Sequence, residues 1–316
     1  MISRVTDTML TNNALAALER QRSRLGDLQE QASTLLRINR PSDDPAGAAR
    51  ALLLRDGVRA TERFQQVVTV TRGRVRAAES SLNGAANLLI RARELAIAAR
   101  NDTQSPETRR SIATEVGALH QGLVAEANRR SSQAHIFGGY ASGSAPFVVS
   151  GSFSTQPSSQ ASVAFVGDPN EIEVAVDEVT TVQATANGQR VFMGDGDGDG
   201  NPDAGRVDLF VTLAELHRAL AENDPASISA SLDAIDLGID QVSTERAAIG
   251  SLEGQLDQWE ARLADRELIL RGNLSRLEDA DAAEVFSALV SQETALRASL
   301  EAASRVVQPN LLQFLG

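Results

Sequence analysis

The feature that most limits the fold of this chain is a run of evenly phased residues in its first third. Phe64, Val68, Thr71, Val75, Ala78, Leu82, Ala85, Leu89, Ala92, Ala96 and Ala99 follow one another at alternating steps of four and three, without a slip. Such a repeat draws one narrow stripe along a helix, and a stripe this long has to lie against other helices. Most of its members are small, which suits close approach of helix backbones. Gly57, Gly73 and Gly84 fall in the same segment, each costing about 1 kcal/mol relative to alanine, so packing has to hold this helix together.

The same phasing marks both ends of the chain. Ala14, Leu18, Gln21, Leu25, Leu28, Ala32 and Leu35 form an N-terminal seam, which stops where Pro41 and Pro45 forbid a continuous helix. Phe286, Leu289, Glu293, Leu296, Leu300, Ala303 and Val307 form a C-terminal seam of similar length. Pro309 ends that helix near Val307, and Leu311, Leu312, Phe314 and Leu315 keep the tail apolar. Asp281 with Glu284 resembles a capping box ahead of it. Three pairs, Asp44-Pro45, Ser105-Pro106 and Asp224-Pro225, combine a capping side chain with proline at the first helical position. Each precedes a helical pattern. Ile112, Val116, Leu119 and Leu123 follow the second pair; Ile228, Leu232, Ile235, Val242, Ile249, Leu256 and Leu263 follow the third. A shorter pattern, Leu209, Leu213, Leu216 and Leu220, begins after Asp208.

From Phe137 to Gly205 the chain turns to Gly, Ser, Pro and β-branched residues. Residues 163–166, 171–176 and 179–184 read as strands. Gly167-Asp168-Pro169-Asn170 reads as a hairpin-like turn, and Asn187-Gly188 as a second. The expected fold class is therefore mainly α: a long antiparallel coiled-coil or helical bundle formed by the N- and C-terminal segments, with an inserted small β domain. The expected division is nested. Residues 1–40 with 282–316 form a terminal coiled coil, 41–136 with 206–281 a helical bundle, and 137–205 a β-rich insertion.

Composition narrows the function. All 30 basic residues are arginine and there is no cysteine, which excludes disulfides, cysteine-ligated zinc and thiol catalysis. Residues 1–140 hold 20 arginines against 14 acidic residues, whereas 141–316 hold 10 against 28. A chain of net charge −12 with 3% aromatics has neither the basic field nor the stacking platforms of a nucleic-acid binder. The basic half is instead suited to the acidic half of the same chain or of a neighbour. No apolar run approaches the ~20 residues of a membrane span. The terminal helices mix acidic residues with arginine, whereas helices that lie in a membrane surface are cationic with bulky aromatic anchors. No apolar leader follows Arg4, so the chain is expected to stay in the cytoplasm or to leave by a route that reads no cleavable signal.

Catalytic residues are sparse. His120, His135 and His217 lie beside no nucleophile, and no phosphate loop, Gly-x-Ser-x-Gly or His-Glu-x-x-His occurs. No catalytic residue and no cofactor is expected. The one candidate metal site is Asp195, Asp197, Asp199 and Asp203, which offer oxygens at alternate positions around a Gly turn, as in the first half of a calcium loop. The EF-hand motif fails, because its twelfth position is Arg206. A looser calcium turn stays open beside the plainer reading of a solvated acidic loop, and would make the chain a calcium-binding adhesion module.

Ile38-Asn39-Arg40-Pro41-Ser42-Asp43-Asp44-Pro45 resembles the segment after the first helix of bacterial flagellins and their hook-associated relatives. Phe137-Gly138-Gly139 with Pro146-Phe147 is similar to a signature of the hook-associated protein 3 family, which sits at the hook–filament junction. The resemblance implies a structural role. The family leaves the cell unfolded through the flagellar type III export channel, and a chaperone covers its C-terminal helix beforehand. Its terminal helices pack into the axial core of the extracellular flagellum, self-assembling between hook-associated protein 1 and flagellin. Leu18, Leu25, Leu28 and Leu35 with Phe286, Leu289, Leu296 and Leu300 are then the expected assembly interface, and flagellin itself is the nearest rival reading.

Overall fold

Each of the three aspartate- or serine-proline pairs starts a helix in the computed structural model, which describes residues 2–101, 104–151 and 161–307. Asp44 Oδ1 accepts from the Gly47 N–H at 2.8 Å, Ser105 Oγ from Thr108 at 3.2 Å, and Asp224 Oδ1 from Ala226 at 3.0 Å. The proline that follows has no N–H to leave unpaired. Six α-helices are described: α1 Ile2–Thr34, α2 Pro45–Ala99, α3 Pro106–Ala127, α4 Leu209–Glu222, α5 Pro225–Glu278 and α6 Ala282–Val307. Asp281 caps α6 by accepting from the N–H groups of Ala283 and Glu284. At 1.5 Å per residue, α2 is about 80 Å long. No described helix is long and apolar enough to cross a membrane. Pro309 and the apolar tail beyond it lie outside the described residues.

The chain divides into two units, residues 1–61 with 265–316 and residues 62–264, so the division falls inside α2 and α5 and not at the turns near 41 and 281. In the second unit the two long helices run antiparallel. Arg72 pairs with Asp257 and Glu260, Arg76 with Glu253 at 2.7 Å, Glu79 with Arg246 at 2.7 Å, and Arg93 with Asp236 at 2.5 Å. Partners rise along α2 as they fall along α5. The basic N-terminal half thus meets the acidic half within one molecule. Beneath these pairs the heptad stripe is sealed: Val68, Leu82, Ala85, Leu89, Ala92, Ala96 and Ala99 have no exposed surface, and neither do Ile228, Ile235, Val242 and Leu256 of α5. α3 packs on α4, where Leu209, Leu213, Leu216 and Leu220 are buried.

Three separate antiparallel ribbons are described: β1 Arg130–Ser131 with β2 Ala134–His135 just before the insertion, and within it β3 Phe147–Ser150 with β4 Ser162–Phe165 and β5 Glu173–Ala175 with β6 Thr181–Gln183. Two expectations fail here. Gly167–Asn170 does not join a hairpin, because β4 pairs backward with β3 in the register Phe147↔Phe165. That register brings the two rings to 5.3 Å, an apolar contact the downstream strand lacks. Asn187-Gly188 opens a π-helical turn over Gln189–Met193, with Asn187 Oδ1 accepting from the N–H groups of Gln189 and Arg190. Two-stranded ribbons are marginal alone, and these share the helical core. Phe147 and Phe192 pack on Phe210 of α4 at ring separations of 5.3 and 6.0 Å, and Phe137 packs on Phe192 at 5.0 Å.

Candidate assembly site

In the first unit α1 and α6 pack on each other. Leu36 lies opposite Asp279, and Gln292 Nε2 donates to the Gln21 carbonyl at 3.2 Å, so the two helices run antiparallel. The α1 seam is where the repeat puts it: Ala14, Leu18, Gln21, Leu25, Leu28 and Ala32 are all half-buried. None of them is fully covered.

Three of the expected interface residues lie outside the covered face between α1 and α6. Leu35 has left the helix, with φ +55° and 45% of its surface exposed. Thr34 causes the exit: its hydroxyl donates to the Glu30 carbonyl and accepts the Leu36 N–H, which ends α1 just before the last seam position. On α6, Phe286 and Leu300 are 50% and 52% exposed. The covered side passes through Val285, Leu289, Gln292, Leu296, Ser299 and Ala303, one position round the helix from them. Small and polar residues on that side let α6 lie close to α1, and the larger Phe286, Val290 and Leu300 stay outside.

The segment between α1 and α2 is fastened to the segment between α5 and α6. The Arg37 N–H donates to Glu278 at 2.6 Å, and the Ala280 N–H donates to Leu35 at 2.9 Å. The Arg37 guanidinium donates to the Leu277 carbonyl at 2.8 Å, a cation at a helix C-terminus, and also meets Asp44 at 3.4 Å. Asn39 donates from Nδ2 to the Leu36 carbonyl, and Asp43 Oδ2 accepts the N–H groups of Asn39 and Arg40. Pro41 and Ser42 form the exposed tip of that turn. The Gly47 N–H, with Arg37, holds the Asp44 carboxyl below its ordinary pKa. Glu278, 5% exposed, is answered by Arg55 at 2.8 Å.

The second motif is positional too. Phe137, Pro146 and Phe147 are buried, and Gly138 accepts the Asp168 N–H. Gly139 has φ +55°, and a Cβ there would stand 2.2 Å from the Asp168 carbonyl, so only glycine fits. Asn128, which sequence reasoning passed over, acts on Phe147 as a strand would: Oδ1 accepts its N–H at 2.9 Å and Nδ2 donates to its carbonyl at 2.8 Å. Its only signal was its place at the end of α3.

In the acidic loop, Asp195, Asp197 and Asp199 offer oxygens within 4.8 Å of one another, a spacing a cation could bridge. Asp203 is not in that group; its Oδ2 accepts from the Gly196 N–H. Asp195 is buried and accepts from Gly198, Gly200 and Gln189 at 2.7, 2.9 and 2.6 Å. Burial pushes its pKa up, but the N–H donors outweigh that and hold it below the usual range. Arg206, the residue that breaks the EF-hand pattern, has another partner. It and Arg190 both bind Glu245, which is 4% exposed, at 2.9 and 3.2 Å. One turn earlier on α5, Gln241 bonds the backbone of Val191 and Val207. These residues pin the insertion to α5.

Residues 5–140 match the bacterial flagellin N-terminal helical region and residues 232–315 its C-terminal helical region, together more than two thirds of the chain. The chain belongs to the flagellin family. Among its flagellin-family relatives, flagellar hook-associated protein 3 of Escherichia coli K12 is 28% identical over 291 residues, covering 86% of this chain and 87% of that protein. Flagellar hook-associated protein 3 of Salmonella typhimurium LT2 is 26% identical, covering 94% of each. Flagellin of Bacillus subtilis 168 is 25% identical over 99% of each chain. Two solved structures share the fold: a putative flagellar hook-associated protein from Vibrio parahaemolyticus (TM-score 0.64, 18% identity, 75% of this chain and all of that one) and flagellar hook-associated protein 3 from Legionella pneumophila (0.60, 18%, 71% and 98%). Within the flagellin family, then, this is a structural protein of the axial flagellum, similar over most of its length to hook-associated protein 3.

Proposed function

We propose that the chain is a non-enzymatic subunit of the hook–filament junction, set in the axial core by α1 and α6. On this reading it joins hook-associated protein 1 to the flagellin filament outside the cell, self-assembles there, and travels with an export chaperone on its C-terminal helix. The observation that carries the reading is the half-covered terminal pair. Leu15, Leu35, Phe286, Val290 and Leu300 stay 45 to 63% exposed on a unit whose seam never closes. An apolar surface of that kind marks a place where other chains bind. The interface would then have two sides: Leu18, Leu25, Leu28, Leu289 and Leu296 within the subunit, and Leu35, Phe286 and Leu300 toward its neighbours.

Deletion of the gene tests this. The junction role requires intact hooks without filaments and flagellin shed into the medium. A second reading, flagellin itself, is favoured by the full-length likeness to the Bacillus subtilis protein; it requires that the deletion remove the bulk filament protein. Normal motile filaments after deletion would exclude both.

A further inference from the structure

Two helical faces of the second unit carry matching features of opposite sign. On α2, Arg63, Val67, Val70 and Arg74 share one face at steps of four, three and four. Val70 is 65% exposed. The β5–β6 ribbon stands alongside, and Val67, Val70, Thr71 and Val174 line an open groove of about 490 Å³ with Arg63 and Arg74 at its ends. On α5, Asp233, Leu237 and Asp240 share a face at steps of four and three, with all three side chains exposed and Leu237 at 43%. Among the described residues none of these two arginines and two aspartates has an ion-pair partner. One face is an apolar groove between cations; the other is an apolar knob between anions.

The knob and the groove of one chain cannot meet. Arg93 holds Asp236, so Leu237 lies level with the stretch of α2 around residue 93, which is 23 residues beyond Val70. At 1.5 Å per residue the separation is about 35 Å. We propose that the groove receives a second copy of the chain, which enters with the Asp233–Leu237–Asp240 face of its α5. Leu237 fills the space over Val67 and Val70, and the long arginine side chains close on the two carboxylates. Because the two surfaces differ, the contact is head-to-tail, the kind that propagates from copy to copy into a ring or helix. It uses neither α1 nor α6 and does not rest on the flagellar reading.

The absence of cysteine makes the test direct. Purified full-length Val70→Cys and Leu237→Cys proteins are mixed under mild oxidation, so each carries a single thiol. The expected product is the mixed disulfide dimer, formed faster than either homodimer. Adding Arg63→Glu and Arg74→Glu to the first protein should slow it about tenfold, since like charges then face each other. Adding Asp233→Arg and Asp240→Arg to the second should restore the rate, which a merely misfolded variant could not do. A mixed dimer no faster than the homodimers overturns the proposal, and so does a rate indifferent to charge reversal or one the reciprocal reversal fails to restore.

Discussion

The α2–α5 layer and the α1–α6 pair are written in the same seven-residue repeat, yet one is sealed and the other is half open. In the α2–α5 layer, α3, α4 and the aromatic ribbons cover what two helices alone would leave bare, and Leu82 and Leu89 lose all contact with solvent. In the terminal pair no seam residue of α1 is fully buried. Periodicity sets which face of a helix is apolar. The number of surfaces that close over it decides whether the face is a core or an interface.

Amide exchange should separate the two regions most widely. In the isolated chain the α2 amides of residues 68–99 are expected to open only with the whole unit, and those of residues 14–32 by local fraying, a difference of several orders of magnitude in rate. Equal protection would break the comparison. Leu89→Ala should cost about 2–5 kcal/mol of unfolding free energy by denaturant titration. Phe286→Ala should cost under about 1 kcal/mol because half its surface is already exposed, while abolishing filament attachment in motility assays. Glu245→Ala leaves Arg190 and Arg206 without their shared carboxylate and should cost about 3 kcal/mol, loosening the insertion while α1 and α6 are unaffected in near-UV and exchange signals.

A dependence on pH is expected as well. Burial, with His217 nearby, pushes His120 down to about 4, and His217 itself is lowered by burial. The folded state therefore keeps His120 neutral while the unfolded chain takes up a proton near pH 6.5. The stability this contributes is intact above pH 6.5 and is lost as pH falls toward 4, at no more than about 1.4 kcal/mol per pH unit. His120→Gln should flatten that slope relative to the parent in thermal melts. α1 and α6 carry no histidine, so their pairing should not share this dependence.

Where a partner lies within one turn, the sequence was readable. The proline-assisted helix starts, the α2 stripe from Val68 to Ala99 and the α4 leucines depend on neighbours three or four residues away, and all are found as read. The failures share a different cause. Phe165 chooses between a strand before it and one after it, and a ring eighteen residues back decides. On α6 the series from Phe286 and the series from Val285 satisfy the same spacing; only the surface of α1 selects between them. Leu35 looked like the next seam position because nothing in the repeat reveals that the Thr34 hydroxyl will cap the helix. Glu245 reads as one more surface acid until two arginines, 39 and 55 residues back in sequence, are folded onto it.

The main-chain hydrogen bonds of Leu35 and Arg37 with Ala280 and Glu278 give the molecule a mechanical property. They lie across the two crossings and tie, at a single point, segments more than 240 residues apart along the chain. A pull on α1 is shared at once by α6, because the bonds between the strands are loaded in parallel and none can lengthen alone. In an axial fibre the two slender helices are then expected to carry load as one element, with tension on either terminus shared between both.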